Sequence, residues 1–142
     1  MRAMVIYESL TGNTKAAAAI IGDELRRAGV EVTGVSPITG VDYEALAAAD
    51  WVFVGSWTDG LFLVGQRPGR AGRLSSKLPA MQGKQAAVFC TYAIDPGKVL
   101  QKLSTLLTQQ GADVVGGLAI KRTDIAGGAR DLVAGVLSSV RA

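Results

Sequence analysis

Five short β-forming runs alternate along this chain with longer runs whose apolar residues recur at helical spacing. The strand-like runs are Ala3-Met4-Val5-Ile6-Tyr7, Val30-Glu31-Val32-Thr33-Gly34-Val35, Trp51-Val52-Phe53-Val54, Gln85-Ala86-Ala87-Val88-Phe89-Cys90 and residues 114–120. Between and after them lie Ala17, Ile20, Ile21, Leu25 and Ala28, an alanine-rich stretch over 41–49, Leu74 and Leu78, Val99 through Leu107, and Leu132 through Val140. That alternation predicts a parallel sheet covered by helices on both faces. The continuously apolar run at 51–54 and the buried-strand pattern at 85–90 suit central strands, and the alternating run at 30–35 suits an edge. Gly29 and Gly111 are placed to end helices, and Asp95-Pro96 to start one with the aspartate as cap. Gly116-Gly117 should weaken or bulge the last strand. The reading is an α/β fold: a doubly wound, five-stranded parallel sheet in three layers, one domain over 1–142.

Between the first strand and the first helix stands Ser9-Leu10-Thr11-Gly12-Asn13-Thr14. Three hydroxyls, an amide and a glycine at a helix N-terminus form a receptor for an anion. Backbone N–H groups point outward there and the helix dipole favours negative charge. Hydrogen bonds to a charged partner are worth roughly 1.5–3 kcal/mol each, so four or five could hold a phosphate without a basic residue.

Composition narrows the chemistry. The chain has no histidine and one cysteine, Cys90, which excludes imidazole catalysis, histidine metal sites and an intrachain disulfide. A bound cofactor that carries the hard chemistry fits this shortage of reactive side chains. Cys90 reads as a buried strand residue rather than a working thiol. No apolar run approaches the ~18 residues of a membrane span, and the first strand begins almost at Met1, so a cytoplasmic protein without a leader is expected. The formal charge of +3 is local, because Arg67, Arg70, Arg73 and Lys77 occupy a segment without acids. That segment is either a solvated surface or a patch for an anionic partner. Nucleic acid is not expected, since no aromatic residue interleaves the arginines.

The loop at 9–14 resembles the flavodoxin phosphate loop, [T/S]-x-[T/S]-G-x-T, at every defined position. The resemblance spans nearly the whole chain and implies the strand order 2-1-3-4-5, with FMN as cofactor and its 5′-phosphate held by this loop. Ligands in such sheets sit at the carboxyl ends of the strands, where the winding direction switches. That rule selects two further loops. Gly55-Ser56-Trp57-Thr58-Asp59-Gly60 resembles the family's G-[ST]-P-T-[YW]-G, with Trp57 where proline usually stands and Asp59 where the aromatic usually stands. The ring that stacks on the flavin is then Trp57 or Phe62, unless Trp57 only packs beneath the loop. The third loop is Thr91-Tyr92-Ala93-Ile94-Asp95-Pro96-Gly97, with Tyr92 as the candidate aromatic. The cofactor-binding set is Ser9, Leu10, Thr11, Gly12, Asn13, Thr14, Ser56, Trp57, Thr58, Asp59, Gly60, Thr91, Tyr92, Ala93 and Gly97.

In flavodoxins a peptide of the second loop rotates on reduction, and the peptide joining Gly60 and Leu61 is the candidate here; the alternative is an ordinary turn glycine. Only Asp59 and Asp95 bring acid to the three loops. With so little negative charge, the potential for full reduction should be less negative than in acidic flavodoxins. The resemblance implies an electron carrier between redox partner proteins, a reductase and an acceptor. Two alternatives stand beside it. One is an FMN-dependent oxidoreductase for a quinone-like or porphyrinogen-like substrate, with the apolar residues 61–64 as a wall. The other is a module of this fold that has lost FMN.

Overall fold

The computed structural model describes residues 1–59, 67–69 and 71–141. In chain order the elements are β1 (Arg2–Tyr7), α1 (Asn13–Arg27), β2 (Glu31–Pro37), a 3-10 turn (Ile38–Gly40), α2 (Tyr43–Ala48), β3 (Trp51–Asp59), β4 (Arg67–Pro68), α3 (Ala71–Lys77), β5 (Gln85–Tyr92), α4 (Val99–Gln109), β6 (Asp113–Lys121) and α5 (Ile125–Arg141). Five strands run parallel in the order β2-β1-β3-β5-β6. Setting aside the two-residue β4, this is the expected 2-1-3-4-5 winding, with β2 at one edge and the apolar strands inside.

Side-chain alternation on the strands divides the core in two. Ala3, Val5, Phe53 and Phe89 pack under α1 and α5 through Ala17, Ile21, Leu25, Leu132 and Val136. Met4, Ile6, Val52, Val54 and Val88 pack under α2, α3 and α4 through Leu46, Leu74, Leu103 and Leu107. Most of these side chains are completely buried, and each large one contributes about 1.5–3 kcal/mol of transfer free energy. The central strands read as continuous apolar runs because both of their faces are covered. Val140 lies outside that stripe and is exposed.

Three local expectations need correction. Residues 55–59 are strand, not loop: β3 stays paired with β5 as far as Trp57 opposite Thr91, then pairs antiparallel with the returning Arg67–Pro68. Asp95 caps no helix. Its Oδ1 accepts from the Gly97 N–H at 2.9 Å, Gly97 turns to φ +56°, and α4 begins only at Val99. The irregularity of β6 comes just before the glycine pair, where Ala86 opposes Val114 and Ala87 opposes Gly116, leaving Val115 as the extra residue.

Candidate functional site

The carboxyl ends of β1, β3 and β5 open onto a cleft of about 180 Å³. Leu10, Thr11 and Asn13 line it from the first turn, Trp57 and Thr58 from the end of β3, Thr91 and Tyr92 from the end of β5 with Ala93 just beyond it, and Arg122 from just after β6. Two larger hollows, of about 290 and 440 Å³, flank β6 under α5 and α4. Both border Gly116 and Gly117, which carry no side chains to fill them, and neither touches the three loops.

Residues 9–14 owe their shape to short-range contacts. The Ser9 hydroxyl accepts from the N–H groups of Gly12 at 3.2 Å and Lys15 at 3.3 Å. Gly12 stands as the N-cap of α1 at φ +97°, a left-handed conformation in which an added Cβ would meet open space. Asn13 Nδ2 donates to Thr11 Oγ1 at 3.4 Å. Lys15 N is taken by Ser9, whereas the amides of Asn13 and Thr14 have no acceptor among the described residues. These are the outward-facing donors that a helix N-terminus leaves for an anion.

Thr14 is turned inward. It is buried, and its hydroxyl shares a 2.8 Å hydrogen bond with the equally buried Thr91 hydroxyl. The first and third loops are thereby joined under the cleft floor. Leu10 at 61% exposure and Ile94 at 76% leave apolar surface on the rim.

The end of β3 is organised from afar. Ser56 is fully buried and donates to the Gly69 carbonyl at 2.7 Å, so its hydroxyl serves the returning chain rather than the cleft. The Trp57 indole lies against the Gly69 backbone, where an added Cβ would come within 2.0 Å of the ring. Gly69 N–H in turn donates to Trp57 O at 2.9 Å. Trp57 therefore packs on the return segment and borders the cleft at the same time. Thr58 lines the cleft, but its Oγ1 is buried without a partner in hydrogen-bond geometry. Burial pushes the Cys90 thiol up to about 11, and the Thr58 hydroxyl pulls it only weakly the other way. A thiol is a poor donor, so the contact does not satisfy Thr58. Gly60, Phe62, the Gly60–Leu61 peptide, residues 61–64 and Arg70 lie outside the described residues, and Asp59 is described as backbone only. Gly97 belongs to the Asp95 turn and does not line the cleft.

Two charged residues escaped the sequence reading. Glu8, at the end of β1, is 3% exposed and takes a bidentate ion pair from Arg73, with Nε to Oε2 at 2.7 Å. That hydrogen bond raises the Arg73 guanidinium further above its ordinary value. Arg73 is thus an internal partner and not a free member of the basic segment, while Lys77 stays exposed. The second is Arg122, which follows β6 directly and lines the cleft from its carboxyl end. A basic residue directly after the last strand was the available signal.

The donors present fit a phosphorylated, ring-bearing ligand. Outward amides, the Thr11 hydroxyl, the Asn13 amide and a guanidinium suit the charged end, and Trp57 and Tyr92 supply aromatic surface.

Comparison with known proteins gives the same assignment by another route. The sequence model of the flavodoxin domain matches residues 4–122. Oxidised flavodoxin 2 from Bacillus cereus superposes with a TM-score of 0.75 at 23% identity, covering 98% of this chain and 99% of that one. A cysteine-to-serine mutant of the Pseudomonas aeruginosa flavodoxin gives 0.75 at 18% identity over 100% of both chains. Two-electron reduced Megasphaera elsdenii flavodoxin gives 0.70 at 24% identity, covering 92% and 95%. No curated protein matches in sequence.

Proposed function

The chain belongs to the flavodoxin domain family of FMN-binding electron-transfer proteins, and from that premise we propose that it is a carrier shuttling electrons between two separate redox proteins. The cleft carries this reading: the carboxyl ends of three parallel strands converge on it, one followed by a helix N-terminus with free amides and one bearing Trp57. Residues 11–14 would hold the phosphate, Tyr92 and Trp57 would flank the ring, and the bound flavin would supply the redox chemistry. The chain's own task is to orient the cofactor, shield it on one side and leave an edge open to partners. Leu10 and Ile94 provide that exposed apolar rim.

Side-chain chemistry supports a carrier over an enzyme. There is no histidine, and the lone thiol is buried and protonated at neutral pH. A cytoplasmic setting belongs to the same reading, supported by a reduced, buried cysteine in place of disulfides. No helix of the described residues is long and apolar enough to cross a membrane.

The test is anaerobic reductive titration of protein reconstituted with FMN, followed by assay with NAD(P)H and a quinone. A yellow protein that accepts electrons from a dye, yet oxidises NAD(P)H only when a reductase is added, is the expected result. Its potential for full reduction should be less negative than that of acidic flavodoxins. Rapid quinone turnover by the isolated protein would replace the carrier with an enzyme.

A further inference from the structure

We propose that Arg122 is the phosphate-directed cation of this cleft, adding a full charge to a site whose first loop supplies only neutral donors. The inference rests on the FMN reading above.

Arg122 follows β6 directly, and its N–H donates to Tyr92 O at 2.9 Å, which fixes its backbone against the third loop. From there it lines the same cleft as Thr11 and Asn13, the residues of the anion-binding turn. It is the one basic residue among the described residues lining the cleft. Its charge is unspent. Among the described residues it has no ion-pair partner, and the acid nearest in sequence, Asp124, accepts from Gly127 N–H at 3.2 Å at the start of α5.

A guanidinium so placed seeks an anion. The phosphate carries close to two negative charges at neutral pH and presents oxygens that match the guanidinium fork. Charge-assisted hydrogen bonds of this kind are about twice as strong as neutral ones. The flavin ring carries no fixed charge when oxidised, so an arginine serving the ring would not distinguish FMN from riboflavin.

That difference gives the test. Apoprotein is titrated with FMN and with riboflavin, at low and high salt, for the wild type, Arg122→Gln and Arg122→Lys. Arg122→Gln should weaken FMN binding about tenfold, roughly 1.4 kcal/mol, and leave riboflavin binding unchanged. The wild type should lose FMN affinity with salt more steeply than the variant, and Arg122→Lys should recover part of the loss. Equal weakening toward both ligands, or no weakening toward either, overturns the assignment. A wild type that binds neither ligand overturns the cofactor reading itself, and the role of Arg122 with it.

Discussion

Residues 9–14 and the end of β3 border the same cleft, yet the first is held by its neighbours and the second by partners far along the chain. Apart from the buried Thr14–Thr91 bond, the side-chain contacts that shape the amide turn span six residues or fewer among the described residues, as in the Ser9 bonds to Gly12 and Lys15. Ser56 instead reaches Gly69, thirteen residues on, and Trp57 leans on that same glycine. A turn of the first kind persists wherever its short sequence stands between a strand and a helix. A wall of the second kind exists only once the chain has returned.

The contrast can be broken at its far end first. Gly69→Ala puts a methyl group inside the Trp57 indole, so the ring must leave its seat. We expect a loss of about 1–3 kcal/mol in urea unfolding together with a shift in tryptophan emission. Trp51 lies at the opposite end of β3 and should not contribute to that shift. Unchanged stability and emission would mean that the return segment does not hold the wall.

Gly12→Ala probes the local side. The site has room for the methyl group, but the left-handed backbone costs an L-residue about 1–2 kcal/mol. Stability should fall by that amount, FMN affinity should drop, and tryptophan emission should stay as it was. An emission change here would show that the two walls are coupled through more than the cleft.

The smallest effect concerns Cys90, on β5 beside Ser56 of β3. Its thiol is raised from 9.0 to about 11 in the folded chain. Below pH 9 folded and unfolded chains both keep the proton, so the group adds no slope. Between about pH 9 and 11 the unfolded chain ionises first, and stability should fall with rising pH by up to about 1.4 kcal/mol per unit. Cys90→Ala should remove the part of that slope that begins near pH 9, leave the part that the buried Tyr7 phenol adds above pH 10, and keep the neutral-pH profile unchanged in shape.

The same division explains what the sequence disclosed. The strands and α1 follow from apolar periodicity and the amide turn from residue types at fixed spacing, all of them short-range properties, whereas the strand order comes with the family resemblance. Residues 55–59 read as loop in the sequence, because their strand pairing depends on distant partners: β5 for residues 55–57 and the returning Arg67–Pro68 for residues 58–59. Glu8 looked like any polar residue after a strand, and its partner is 65 positions away. Asp95 reads as a helix cap because of the proline after it, whereas the Gly97 amide claims its carboxylate. Arg122 was legible in principle, but it follows the last strand, outside the three loops that the family resemblance singles out.

The Glu8–Arg73 pair has an electrical consequence for its neighbour. A bare carboxylate one residue upstream of Ser9 would oppose any dianion arriving at the helix mouth. With the guanidinium clasped to it, the monopole becomes a short dipole whose field dies away within a few ångströms. A lesion at Arg73 in α3, 65 residues along the chain from Glu8, would therefore be felt as repulsion at the mouth of α1.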